Sequence, residues 1–499
     1  MPHPIFGVDE LLRLVINELV EISEESAVSF AVTCRSFEEP TLSSLWKKQS
    51  SLFPLLGVLP GCIWDEDEYG FRTVVSGRHS PTAYRTSYQS PPPQEIEHDP
   101  SAKDWARLRQ YASWMRELEL SADGTPDPDI LFQLSHNSPG GLLFPRLELL
   151  YWDIIDGDMT FPFFRLFLSP RLRRVTLYAD DGPSEIPREE FAPLIQFISA
   201  LPTSLEALYV SCDQEEEPLT DAISSFVCRR GLSLRSFGSR LPLLEAAVHH
   251  LTQLPNLSYW NIAQGPPRVL SASILPSLKQ LHLDKQEALP WLYLLASHQD
   301  SVLSKCSASV TSHTNIRETL TSLECPKNIT VDSTFLSSIV KFRNLATLRV
   351  NTILCHGAGG CFFRITDAEV KDLATALPRL KSLHLGPPCR SNICDATVAS
   401  LMSISTHCLD LICLDTHFNT QTIVADMQRL LDGGAERDKA KCKLWSYSAG
   451  FAPLQVQGQD IQTVEMGFKA IFPNLTTLRG FDRSWGEMGI GVNAARIFL

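Results

Sequence analysis

No run of 18 or more apolar residues occurs in this chain of 499 residues, so the sequence offers no helix able to cross a bilayer. A secretory leader is missing too: Asp9 and Glu10 stand inside the first apolar run, where a leader needs a basic stretch and then an uncharged core. The expectation is a chain that neither spans a membrane nor enters the secretory route, and that works in the cytoplasm, the nucleus or both. Positive charge is short as well, with 44 Lys plus Arg against 57 Asp plus Glu and a net charge of -13. That balance disfavours nonspecific binding to a phosphate backbone, so neither nucleic acid nor membrane is expected as a partner.

Signatures of metal binding and catalysis are absent. The 13 cysteines are odd in number and scattered, which fits reduced thiols and not a disulfide framework. His249-His250, Cys355-His356, Cys361, Cys389, Cys394, Cys408 and Cys413 lack the paired spacing of tetrahedral zinc sites, and no metal is expected. Gly357-Ala358-Gly359-Gly360 has neither the Lys-Ser/Thr of a phosphate loop nor the G-x-G-x-x-G of a dinucleotide turn, so no cofactor is expected either. G-x-S-x-G and H-E-x-x-H do not occur, and carboxylate groups such as Asp180-Asp181 and Glu215 to Glu217 sit in polar loops, where solvated charge explains them. Asn256, Asn328 and Asn474 head N-x-Ser/Thr triplets, which carry no meaning in a chain that is not secreted. A protein without catalytic residues of its own is the reading.

What the chain has is a recurring phrase, Pro-x-Leu-x-x-Leu-x-Leu. Pro276-Ser277-Leu278-Lys279-Gln280-Leu281-His282-Leu283 is nearly repeated at Pro378-Arg379-Leu380-Lys381-Ser382-Leu383-His384-Leu385, with variants at Pro145, Pro170, Pro255 and Pro473. Recurrence every few tens of residues marks small units that cannot bury an apolar side alone and are closed by their neighbours. Strands are expected to begin near Met115, Leu147, Leu172, Leu205, Leu234, Leu257, Leu278, Leu320, Leu345, Leu380, Leu409, Leu444 and Leu475; Leu234, Leu320 and Leu444 fit the phrase least. Amphipathic stretches of helical length lie between them, at Phe191 to Leu201, Leu219 to Cys228, Leu243 to Leu254, Asp367 to Leu377 and Gln421 to Leu431. The repeat is about 21 to about 42 residues long, close to the leucine-rich-repeat range but less regular.

Leucines two apart on a strand face one side, and the residues between them face the other. The outward set includes Arg174, Thr176 and Tyr178; Ala207, Tyr209 and Ser211; Gln280, His282 and Asp284; and Thr347, Arg349 and Asn351. The fold class expected is α/β: a leucine-rich-repeat solenoid with parallel strands on its concave side and helices on its convex side, preceded by a small all-α head. Tyr151, Tyr178, Tyr209, His282, Arg349 and His384 would project into the concavity as substrate-binding residues, being the types that most often carry interface energy.

Ahead of the repeats, Val8, Leu11, Leu12, Val15, Ile16, Leu19 and Val20 make one helical stripe. A second helix can start at Ser23, with Ala27, Phe30, Ala31 and Cys34 as its apolar face, and Pro40 can open a third carrying Leu42, Leu45 and Trp46. About 45 residues rarely build a self-sufficient core, so this head needs cover from elsewhere. Residues 61–103, acidic at Asp65 to Glu68 and rich in Ser and Pro around Pro91-Pro92-Pro93, suit a linker or loop. The division expected is a head over 1–60, the linker over 61–103 and repeats over 104–499. Gly480 to Gly491 reads as an irregular cap on the last repeat.

Val8-Asp9-Glu10-Leu11-Leu12, Thr33-Cys34-Arg35-Ser36-Phe37 and Leu42-Ser43-Ser44-Leu45-Trp46 resemble an F-box. With Leu55 to Pro60, Trp64 and Asp104-Trp105-Ala106-Arg107, the chain is similar to the F-box and leucine-rich-repeat proteins of mushroom-forming fungi. One position departs: Asp9 stands where that family usually has proline. The resemblance implies a substrate-recognition adaptor of a cullin-RING ubiquitin ligase, its F-box bound to an Skp-type adaptor on the cullin scaffold and its repeats bound to a protein substrate. Carried over by position, the adaptor contacts would be Val8, Leu11, Leu12, Val15, Leu19, Cys34, Arg35, Leu45 and Trp46. The alternative is a repeat scaffold that binds proteins without any ubiquitin machinery.

Overall fold

A strand with one apolar side needs cover on that side, and in a parallel stack neighbouring strand–helix coils supply it. The computed structural model describes residues 9–59, 64–66, 72–74, 100–121, 126, 128–137, 142–154, 161–179, 191–202, 204–212, 217–267, 275–303, 316–326, 329, 331–350, 365–385, 395–416, 418–433, 442–449 and 459–479. They belong to two compact units, Met1–Leu234 and Arg235–Leu499.

The first unit opens with helices α1 (Asp9–Ile22), α2 (Glu24–Ala31) and α3 (Arg35–Leu45). Ser23 caps α2 by accepting the Ser26 N–H, as expected. The start of α3 needs a correction, because Pro40 lies inside the helix and does not open it. Proline there removes one backbone hydrogen bond, but Phe37, one turn earlier, is buried with Leu12 and Ile16 and stacks on Phe30 at 4.6 Å. Burying that ring holds residues 35–39 helical. The chain then forms β1 (Lys48–Gln49), α4 (Phe53–Leu56), an antiparallel pair β2 (Trp64–Glu66) and β3 (Arg72–Val74), and α5 (Ala102–Ala112). Thus the range expected as linker contains two paired strands and the first turn of α5. Ser101 and Asp104 close a capping box on α5, and the Ser101 hydroxyl holds the Asp104 carboxyl below the usual carboxylate range.

Strands β4 (Glu117–Leu120), β5 (Leu149–Ile154), β6 (Arg174–Ala179) and β7 (Ala207–Cys212) follow, parallel and in chain order, with β1 on the free edge of β4. The sequence reading has no β1. Lys47 carbonyl accepts the N–H groups of Arg116 and Glu117, and Lys48 pairs with Glu119 at 3.0 Å, so the segment leaving the head caps an edge that would otherwise invite foreign strands.

Among its described residues the second unit holds nine parallel strands in chain order: β8 (Ser236–Ser239), β9 (Tyr259–Ile262), β10 (Gln280–Leu283), β11 (Ser322–Cys325), β12 (Thr347–Val350), β13 (Ser382–Leu385), β14 (Cys413–Thr416), β15 (Ser446–Ser448) and β16 (Thr477–Arg479). Their register aligns Phe237, Trp260, Leu281, Leu323, Leu348, Leu383, Leu414, Tyr447 and Leu478 in one inward row, and all of them are buried. Every expected start is followed by a strand, those at Leu234, Leu320 and Leu444 included. The start at Leu409 shifts by two residues: Leu409 is exposed while Leu411 is buried, since Cys408 already fills the interior. Ala207 is likewise corrected, being buried where an outward residue was expected.

The phrase also ties coil to coil. The residue after its proline reaches back to a carbonyl of the preceding coil, from Ser277 Oγ to Pro255 (2.5 Å) and from Asn474 Nδ2 to Cys442 (2.9 Å). Asn344 does the same to Glu318 at 2.7 Å. These bonds satisfy carbonyls at bends where the ladder cannot, which gives Asn474 a structural task. Among the described residues no helix is long and apolar enough to cross a membrane, and no group of His, Cys, Asp and Glu is placed to hold a metal ion. Cys355 to Cys361, Cys389, Cys394, Asn328, Asn351, Asp180-Asp181, Glu215 and Gly480 to Gly491 lie outside the described residues.

Candidate interaction surfaces

The head has an inner and an outer apolar face. Leu12, at 4% exposure, and Ile16 sit in the core with Phe37, and Val20, Phe30 and Cys34 pack around them. Of the residues expected to touch an adaptor, Leu11 and Val15 are exposed, Arg35 is exposed, and Leu19, Cys34, Leu45 and Trp46 are half-buried. Val8 lies outside the described residues. Cys34 precedes α3 as its cap, and the Ser36 hydroxyl draws its thiol below the ordinary value. Trp46 leans on Tyr111 of α5, ring centroids 4.7 Å apart.

The outer face includes residues absent from the expected set: Leu14, Ile22 (79% exposed), Val28 and Val32 (82% exposed). A sequence signal for them exists. Leu11, Val15 and Ile22 are four and seven apart, hence on one side of α1, about 100° round from Leu12 and Ile16, and Val28 and Val32 are one turn apart at the end of α2.

On the sheet of the first unit, Glu119, Tyr151, Thr176 and Tyr209 form one outward row, and Asp153, Tyr178 and Ser211 the next. Three of the expected substrate-binding residues, Tyr151, Tyr178 and Tyr209, therefore share one face. Partial burial, with Asp153, Tyr178 and Glu119 close by, pushes the Tyr151 phenol above its ordinary value. In the second unit, the outward row reads Asn261, His282, Glu324, Arg349, His384, Asp415 and Ser448. It brings together His282, Arg349 and His384 and interleaves them with the carboxylates of Glu324 and Asp415, which the sequence reading did not single out. Arg349 lies 3.9 Å from Glu324, and His384 Nδ1 lies 3.7 Å from Asp415. The signal was available, since Glu324 and Asp415 occupy the same place in their phrases as His282 and His384.

No family model matches the chain, and no curated protein does. Solved structures similar to it in part include two complexes. One is the crystal structure of the Rad7 and Elc1 complex in yeast, 17% identical over 70% of this chain and 75% of that one, with a TM-score of 0.34. The other is the Toll–Spatzle complex of Drosophila, 12% identical over 74% of this chain and 45% of that one, with a TM-score of 0.30.

One cluster on the second unit has the residue types of a nucleophile, a base and an orienting acid: Ser382 Oγ lies 2.9 Å from His384 Nε2, whose ring faces Asp415 from the other side. Acyl transfer also needs N–H groups free to hold an oxyanion. Here the N–H of Ser382 donates to Ala346, and those of Ile412 and Cys413 donate to Lys381. The sheet ladder has consumed these local donors, so the arrangement suits recognition of polar groups across an open face.

Proposed function

We propose that the chain is a recruiting subunit without catalysis of its own. In this reading the three-helix head acts as an F-box and docks on an Skp-type adaptor, which joins it to the cullin scaffold of a ubiquitin ligase. The outward sheet rows capture a protein substrate, in the cytoplasm or the nucleus, with no metal or cofactor.

The observation that carries the reading is the outer apolar face of α1 and α2, made by Leu11, Leu14, Val15, Ile22, Val28 and Val32. Isolated apolar residues on a surface need no explanation, but four exposed branched side chains on α1 and two more at the end of α2 favour a contact site.

Capture of a purified Skp-type adaptor by the full-length chain tests the reading. Leu12 is unsuited to it, because a charge at that core position unfolds the head. Val15→Asp combined with Ile22→Asp changes exposed positions only, and should abolish capture while leaving the thermal unfolding midpoint within about 2 °C. A parent chain that captures no adaptor would replace this reading with that of a repeat scaffold outside the ubiquitin machinery.

A further inference from the structure

The end of the head and the helix α5 border a shallow, open cavity of about 540 Å³, lined by Trp46, Phe53, Pro54, Gly57, Val58, Arg107 and Tyr111. Local sequence explains the lining. Arg107 and Tyr111 are four apart and share one face of α5, with the guanidinium carbon 5.8 Å from the Tyr111 ring centre. Trp46 follows α3 and leans on the same ring at 41°. Gly57 adds no side chain to the space. Among the residues that the resemblance assigns to the adaptor, only Trp46 borders this cavity, so the site is separate from the outer face of α1 and α2.

Among the described side chains that line it, ring faces and hydrogen-bond donors predominate, and none is a carboxylate. Trp46 Nε1–H and the Tyr111 hydroxyl have no hydrogen-bond partner among the described residues; Arg107 has no described carboxylate within ion-pair distance, and Asp104, one turn earlier on α5, feels its charge from farther off. Indole N–H and guanidinium can only donate. A complementary ligand must therefore bring apolar rings, carbonyl oxygens free to accept, and a negative charge. A chain in ordinary extended conformation brings N–H groups, for which the indole and guanidinium of the lining offer no acceptor. A run of prolines has none, its carbonyls point outward, and its left-handed extended helix loses little entropy on docking into an aromatic groove.

We propose that this cavity binds a proline-rich segment of a partner protein, with the rings of Trp46 and Tyr111 against the pyrrolidines, Trp46 Nε1 and the Tyr111 hydroxyl donating to its carbonyls, and Arg107 holding an acidic residue beside the run. The charge complementarity of Arg107 sets the acidic flank.

The test uses the full-length chain and a fluorescein-labelled peptide of five prolines followed by two glutamates, read by anisotropy. Saturable binding is expected, weakened roughly tenfold or more when alanines replace the prolines. Tyr111→Phe keeps the ring and removes the donor, and should weaken binding several-fold. Arg107→Glu should lose the glutamate peptide and favour a version ending in two lysines, a reversal of preference that damaged folding cannot produce. Equal affinity for the alanine peptide, an unchanged charge preference in Arg107→Glu, or no saturable binding by the parent chain would each overturn the proposal. So would binding that appears only after Pro91, Pro92 and Pro93 are replaced by alanine, since the occupant would then be this chain itself.

Discussion

Asp367 receives both the backbone N–H (3.1 Å) and the hydroxyl (2.5 Å) of Ser400, which lies in the next coil. Thr397 gives it two more hydrogen bonds, each of 2.7 Å, so one carboxylate at the start of the helix Asp367–Ala376 ties down the start of the helix Val398–His407. Partial burial pushes this carboxyl up, but the bonds from Ser400 and Thr397 outweigh it and hold the group below its ordinary value.

Asp367→Ala should therefore destabilise the second unit by about 1 to 3 kcal/mol at neutral pH, the range for hydrogen bonds to a charged group. The sign with pH follows from linkage. The unfolded chain binds a proton to this group more readily than the folded one, so the contribution is complete above the ordinary carboxylate value of about 4 and is lost as pH falls through the lower folded value. Urea unfolding of parent and variant should differ at pH 7 and converge towards pH 3.

Gly467 marks a place where two helices approach too closely for a side chain. A Cβ there would stand 2.9 Å from Met427 Cβ and closer still to the Met427 sulfur. Gly467→Ala should cost about 1 to 3 kcal/mol by overpacking, despite the better helix propensity of alanine. Met427→Ala leaves a cavity of its own, but in that background Gly467→Ala should cost less than in the parent, because the sulfur and Cγ are gone and only the Cβ contact remains. Thermal melts of the three variants decide the matter.

Ile16 and Val15 are neighbours in sequence with opposite environments, one fully buried and the other 43% exposed. Ile16→Ala should destabilise the head by about 2 to 5 kcal/mol, and Val15→Ala by less than about 0.5 kcal/mol. Hydrogen exchange of the α1 amides should report the difference. Equal effects would mean that the two faces of α1 are misassigned.

The thiols differ in the same way. Burial pushes Cys408 up to about 12 and raises Cys325 and Cys442 as well, while a hydrogen bond from Ser36 lowers Cys34. Thiolate is the reacting form, so maleimide at pH 7.5 should label Cys34 first, then Cys228, which is exposed although partial burial raises its thiol, and last Cys325, Cys408 and Cys442, as peptide mass spectrometry can follow. Unfolding in guanidinium should erase the order.

The strand positions were legible because the rule behind them is local. In Gln280-Leu281-His282-Leu283, alternation alone says that the two leucines share a side, and both are buried. Helices at 191–200, 217–230, 245–253, 367–376 and 423–432 were legible from their period for the same reason. The candidate surfaces were legible only in part. Tyr151, Tyr178 and Tyr209 could be placed outward, yet the pairing of Arg349 with Glu324 and of His384 with Asp415 depends on the register between strands about 30 residues apart. Pro40 misled because its local preference for a helix start yields to the burial of Phe37.

By itself, then, the amino-acid sequence determined which segments of the repeats become strands, which side of most of them goes inward, and where the coils repeat, since each of these follows from spacing within a few residues. Tertiary structure decided which apolar side of α1 is covered, that Lys48-Gln49 joins the sheet edge, and that Trp46, Phe53, Arg107 and Tyr111 border one cavity. These outcomes depend on what a distant part of the chain brings to the same place, and spacing along one segment carries no information about that.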